Sequence, residues 1–121
     1  MVNKIEDAIQ KELIRWLRQE YPTAKVTATR NESNYRRTDE IEVGMPDLLI
    51  RQPRGEVMHI IYFEIKTMKG KLSPAQKTWA ALPRLSNEHY GHGFGLGECK
   101  SVLSGLLQPQ PISPDGIANG A

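Results

Sequence analysis

Asp47, Glu64 and Lys66 are the residues of this chain whose types and spacing could do chemistry. Asp47 opens the apolar run Leu48-Leu49-Ile50, and Glu64 and Lys66 alternate with Phe63 and Ile65. Charged side chains are seldom buried unless they are paired or bound to a metal, so charges on core-forming segments need a reason. In a strand the side chains at i and i+2 share a face, and Glu64 and Lys66 therefore project together. If the run from Asp47 pairs with the run carrying Glu64, all three converge. Two carboxylates are hard oxygen donors of the kind that hold Mg²⁺ or Mn²⁺, which keeps several waters and completes its shell with substrate phosphate. An adjacent ammonium can steady an attacking water or the charge that develops on the phosphate. That is equipment for hydrolysing a phosphodiester. The plainer alternative is a same-face ion pair on a half-exposed strand, with Asp47 merely following a Gly-Met-Pro turn.

The elements that must position these residues can be read along the chain. Residues 3–20 carry Ile5, Ile9, Leu13, Trp16 and Leu17 at helical spacing, with Asn3 as N-cap and Glu6 three residues on, and Tyr21-Pro22 ends the helix. Residues 25–30 alternate and are β-branched, as a strand should be. Residues 31–45 form a polar loop, long for a small domain, and loops of that length are usually functional or disordered. Two strands follow, 47–51 and 56–66, joined by a turn at Gln52-Pro53-Arg54-Gly55. Ser73-Pro74-Ala75-Gln76 then opens a second helix with Ser73 as N-cap and Pro74 at its first position. Ala75, Trp79 and Leu82 should face the core, and Pro83 should kink or end the helix. Residues 84–92 give no clear signal, 93–96 suggest a short last strand weakened by glycine, and 98–107 a helix. The order predicts an α/β domain with a central mixed sheet flanked by helices.

Length and composition bound the answer. At 121 residues the chain is one domain, long enough for a core but not for a second domain. No apolar run is long enough to span a bilayer, and the N-terminus lacks the apolar stretch of a signal peptide, so a cytosolic location is expected, with no membrane partner. Cys99 is the only cysteine, which excludes an intrachain disulfide and a cysteine-based zinc site. His89, His92 and Cys99 are irregularly spaced and make a weak case for zinc. The net charge is only +2, but its distribution says more. Lys66, Lys69, Lys71, Lys77 and Arg84 follow one another without an acid, a stretch that could meet a phosphate backbone or simply be a solvated face. In the long loop Tyr35, Arg36 and Arg37 could grip DNA by stacking and phosphate contact.

These words, taken in order, resemble a known family. Pro46-Asp47 followed by Glu64-Ile65-Lys66 looks like the PD-(D/E)xK nuclease signature. Gly44-Met45-Pro46-Asp47-Leu48, Phe63-Glu64-Ile65-Lys66 and Leu72-Ser73-Pro74-Ala75-Gln76 with Trp79, preceded by a helix carrying Glu6 and Gln10, resemble its VRR-NUC branch. That branch occurs as small stand-alone phage and bacterial proteins and as the nuclease domain of Fanconi-associated nuclease. The resemblance spans about residues 3–97. It implies a restriction endonuclease-like core and a nuclease domain over 1–107, while the Pro, Gly and small polar residues of 108–121 predict a flexible tail. It implies that Asp47, Glu64 and the backbone carbonyl of Ile65 hold the divalent metal, that Glu6 reaches it directly or through water, and that Lys66 orients the attacking water. Gln76 matches the glutamine of the second helix near the active site. Glu6 and Gln76 could equally complete capping boxes with Asn3 and Ser73, and the two roles are compatible.

The resemblance thus points to a Mg²⁺- or Mn²⁺-dependent endonuclease hydrolysing DNA phosphodiesters and leaving 5′-phosphate ends. Small relatives look like homodimers acting on branched DNA such as four-way junctions, and Lys69, Lys71, Lys77, Arg36 and Arg37 are the candidate DNA contacts. Two readings compete: a flap- or duplex-cutting nuclease on the same fold, and a non-catalytic DNA-binding module. The glycine-rich last strand and Pro83 depart from the family pattern and leave the sheet edge, and any dimer built on it, open.

Overall fold

The computed structural model describes residues 4–29 and 44–109. Helix α1 (Lys4–Glu20) buries Leu13 and Leu17 and half-buries Ile9, Ile14 and Trp16, the stripe that helical spacing requires. Ile5, also expected on that stripe, is 64% exposed, one turn beyond the buried part of the helix. The outward face carries the exposed pairs Lys11–Asp7 and Arg15–Glu12, which contribute little to stability. Pro22 has no N–H and keeps the residue before it out of helical geometry, so the chain turns there.

Strands β1 (Lys25–Ala28), β2 (Leu48–Arg54), β3 (Val57–Lys66) and β4 (Glu88–Phe94) form one sheet in that order. The first three are antiparallel; β4 runs parallel to β3. A parallel return needs a long crossover, and helix α2 (Pro74–Ala80) lies within it. Helix α3 (Leu96–Leu106) follows β4 at once. The mixed sheet flanked by helices is the architecture expected from the sequence.

The hairpin differs from expectation in an instructive way. Its loop is Gly55-Glu56, not the whole of 52–55, and β2 continues through Pro53 to Arg54, which pairs with Val57. Gly55 has φ +63° while Glu56 has no positive φ, the pattern of a two-residue turn with glycine first. Pro53 is tolerated because the Arg54–Val57 pair that closes such a loop is hydrogen-bonded, so at Pro53 the missing N–H faces away from β3. On that side β1 has already ended, its last partner in this direction being Arg51.

The core lies on one face of the sheet. Leu48, Ile50, Ile61, Phe63 and Ile65 meet Leu13 and Leu17 of α1, Cys99 and Leu103 of α3, and Leu107 just beyond it. Emptying the fully buried Phe63 site by substitution with alanine would cost about 3–5 kcal/mol. Strand β4 explains its own glycines. A Cβ at Gly93 would stand 2.7 Å from Cys99 Cα, and one at Gly91 would stand 2.8 Å from Leu106 Cδ1. Helix α3 therefore lies flush on β4 only because these positions lack side chains. The strand spans Glu88–Phe94, earlier and longer than the expected 93–96, and Leu96 opens α3. Helix α2 also departs from expectation: none of its residues is buried, and Leu82 beyond it is 42% exposed. Trp79 packs on Tyr62 instead, ring centroids 4.8 Å apart, on the face of the sheet opposite the aliphatic core.

Candidate active site

That second face carries the candidate site residues. Register places Tyr62, Glu64 and Lys66 of β3 beside Tyr90, His92 and Phe94 of β4, and the two-residue period turns all six side chains away from the aliphatic core. Asp47 stands one residue before Leu48, which pairs with Phe63, so it arrives at the level of Glu64.

Asp47 is held from both sides. Its carbonyl accepts the Thr29 N–H at 2.8 Å, and the Thr29 hydroxyl donates to the Pro46 carbonyl at 2.7 Å. Its side chain, only 8% exposed, accepts the Ile65 N–H on Oδ2 at 2.8 Å. Asp47 thus ends the β2–β3 ladder by giving Ile65 a carboxylate where another backbone carbonyl would otherwise sit. The N–H and C=O of one strand residue point toward the same neighbour, so the Ile65 carbonyl also projects to the Asp47 side. Gly44 makes the approach possible. Its φ is +84°, and a Cβ there would be 2.5 Å from the Ala75 carbonyl, so the Gly44–Asp47 segment runs tight against the first turn of α2.

Glu64 is 3% exposed and accepts a 2.8 Å hydrogen bond on Oε2 from Gln76 Nε2. Gln76 in turn accepts the Ser73 N–H on Oε1 at 2.7 Å, while Ser73 Oγ accepts the Gln76 N–H at 3.1 Å. The two readings of Gln76 are therefore one arrangement: the capping box that starts α2 also orients the amide that bonds Glu64. Lys66 is partly buried, and its carbonyl accepts the Gly95 N–H at 2.8 Å. Glu6 is partly buried in the first turn of α1, and Asn3, its capping partner in the alternative reading, lies outside the described residues. No three His, Cys, Asp or Glu side chains gather as a metal cage among the described residues. The donors that the strand register brings to one level are Asp47 and Glu64, with the Ile65 carbonyl on the Asp47 side. They are hard oxygens, which suits Mg²⁺ or Mn²⁺ rather than a softer metal.

Trp79 Nε1, Tyr90 Oη and His92 Nδ1 on this face are buried with no hydrogen-bond partner among the described residues. Burial, with the negative charge of Glu64 and, more weakly, Asp47, pushes the Tyr90 phenol up to about 12 against an opposing effect of Arg84. Both carboxylates therefore bear on one point. Arg84 lies over the Tyr90 ring, 5.5 Å from its centroid. Burial and Glu88 likewise raise the Tyr62 phenol. Tyr90, His92 and Thr29 were not expected at this site. The alternation Tyr90-x-His92-x-Phe94 is the signal that would have exposed the strand carrying two of them.

The remaining expectations sort by place. Lys69 and Lys71 are exposed between β3 and α2, and Lys77 is exposed on α2 beside Gln76. Arg36 and Arg37 lie outside the described residues, as does the tail from 110. His89, His92 and Cys99 do not gather. His89 and His92 lie on opposite faces of β4, and His89 Nε2 is 2.8 Å from His59 Nδ1. Cys99 is buried against the Gly93 carbonyl, and burial pushes its thiol up to about 12. No helix among the described residues is long and apolar enough to cross a membrane.

A solved structure of a VRR-NUC domain protein superposes with a TM-score of 0.64 at 19% identity, covering 98% of this chain and 99% of that one. At that identity the likeness shows a common fold. No curated protein is similar enough in sequence to count as a match. The profile of the VRR-NUC domain matches residues 4–101, a span that takes in Asp47, Glu64, Lys66 and Gln76. The chain belongs to the VRR-NUC family of nucleases, within the PD-(D/E)xK superfamily.

Proposed function

We propose that this protein is a Mg²⁺- or Mn²⁺-dependent endonuclease that hydrolyses DNA phosphodiesters, with branched DNA such as four-way junctions as its preferred substrate and a homodimer as its working form. The observation that supports the reading is the Asp47 carboxylate bonded to the Ile65 N–H, next in the chain to the buried Glu64, with Lys66 on the Glu64 face of the same strand. Asp47, Glu64 and the Ile65 carbonyl would hold the cation, with Glu6 contributing directly or through water. When bound, a divalent cation acidifies water and polarises a phosphoryl oxygen.

The chain's own residues do the rest. Gln76 holds one Glu64 oxygen, which leaves the carboxylate a defined orientation. The Ile65 N–H does the same for Asp47. Lys66 steadies the attacking water and the charge that develops on the phosphate. The exposed Lys69, Lys71 and Lys77 meet the DNA backbone, together with Arg36 and Arg37. The preference for branched DNA, the two-fold assembly, 5′-phosphate products and a cytosolic setting in a phage-infected or bacterial cell rest on the family resemblance. Two active sites related by a two-fold axis would suit paired nicks across a junction.

The test is cleavage of four-way, flap and linear duplex DNA, side by side, by the wild type and Asp47→Ala in Mg²⁺, Mn²⁺ and EDTA. Junction cutting that needs the metal and is lost in the variant supports the reading. Equal cutting of linear duplex would move the protein to the general-nuclease class. Binding without cutting would make it a DNA-binding module.

A further inference from the structure

Strand β4 brings to the two carboxylates a side chain with no assigned task. Tyr90 sits beside Tyr62 in the parallel register and one step before His92, the neighbour of Glu64. Its hydroxyl is out of solvent contact and has no hydrogen-bond partner among the described residues. Buried hydroxyls are nearly always satisfied, and one left without a partner is destabilising. The ring cannot easily swing out, since it is tilted against His92 at 5.7 Å and lies under Arg84. A hydrogen-bond donor fixed in this way, in the field of two carboxylates, is arranged for an acceptor that joins them.

Resting on the metal-dependent reading above, we propose that Tyr90 is a positioning residue of the cation site, its hydroxyl donating to a water held beside the Glu64 carboxylate. The acceptor is a water rather than a phosphate oxygen because the hydroxyl is enclosed, so only a small ligand reaches it. Groups that orient the ligands of a metal in this way typically change its affinity by about 10–100-fold when removed.

The test uses the full chain without DNA, stripped of metal and titrated with Mn²⁺ by calorimetry, in wild type, Asp47→Ala and Tyr90→Phe. Phenylalanine fills the same ring site and removes only an unpartnered oxygen, so the metal-free melting temperature of Tyr90→Phe should equal or exceed that of the wild type. Its Mn²⁺ affinity should fall on the order of tenfold, about 1.4 kcal/mol. Wild-type Mn²⁺ affinity in Tyr90→Phe would overturn the assignment. So would a metal-free melting temperature that falls along with the affinity, since the hydroxyl would then have a structural partner. Undiminished Mn²⁺ binding with weakened DNA binding in Ca²⁺ would give the hydroxyl to the phosphate and also overturn it. If the wild type itself fails to bind Mn²⁺, or Asp47→Ala binds equally well, the metal-dependent reading falls and this one with it.

Discussion

Gln76 offers the sharpest test of how the site is assembled, because one side chain makes two separable bonds. Its Oε1 caps α2 through the Ser73 N–H, and its Nε2 donates to the buried Glu64. Gln76→Ala removes both. A capping contact is worth about 1 kcal/mol, and a hydrogen bond to a charged group about 1.5–3 kcal/mol. With Gln76 itself only partly buried, the lower half of the combined range applies, about 2.5–3 kcal/mol. Gln76→Glu behaves differently. A carboxylate still accepts the Ser73 N–H, and a negative charge at a helix start is itself favourable by about 0.3–1 kcal/mol. It also faces Glu64 across hydrogen-bond distance, where two like charges about 4 Å apart at an effective dielectric of about 20 repel by roughly 4 kcal/mol. The better-capped variant should therefore be the less stable one in metal-free buffer at neutral pH. Urea denaturation followed by circular dichroism reads the difference directly, with the slope checked for constancy across the variants. Saturating Mn²⁺ should return more stability to Gln76→Glu than to the wild type, since the variant adds a carboxylate beside the proposed donors. The reasoning is refuted if Gln76→Glu proves as stable as Gln76→Ala without metal, because the Glu64 bond would then not govern the cost.

Two further outcomes follow from the packing and from the histidines. Gly93→Ala places a Cβ 2.7 Å from the Cys99 backbone and should destabilise by about 1–3 kcal/mol; Gly105→Ala, exposed within α3 and with open space around it, should stabilise by about 0.5–1 kcal/mol, and urea midpoints of the two variants check both signs. Burial, reinforced by His59, Arg54 and Arg84, holds His89 below its usual 6.5, so between the two values the unfolded chain binds more proton than the folded one. Stability from this group is complete above pH 6.5 and is lost as the pH falls through the folded value. Melting temperatures from pH 8 to 5 should show that decline in the wild type and a shallower one in His89→Asn; an unchanged slope in the variant would remove His89 as its source.

What could be read from the sequence and what could not divide along physical lines. The triad was readable because a two-residue strand period fixes which side chains share a face, and Glu64 and Lys66 needed no knowledge of their neighbours. Helix α2 announced its start through Ser73-Pro74 and Gln76, since a cap is a local event. Its packing was misjudged, because an apolar residue at helical spacing says that something is covered without saying what. Trp79 covers Tyr62 on the reactive face. Strand β4 departs most from the sequence expectation, and the cause is the same feature that lets α3 lie flush on it. On the α3 side the strand is reduced to Gly91 and Gly93, and on the other side it shows Tyr90, His92 and Phe94, so neither face carries the aliphatic pattern of a buried strand. The two faces are coupled through one backbone: α3 lying flush on the glycines fixes the height of β4, and with it the place of Tyr90 and His92 beside Glu64. A methyl group added at Gly93, on the far side of the sheet, should for that reason weaken Mn²⁺ binding as well as stability, whereas one added at Gly105 should leave the metal site untouched. Packing and chemistry in this protein are then two readings of the same strand.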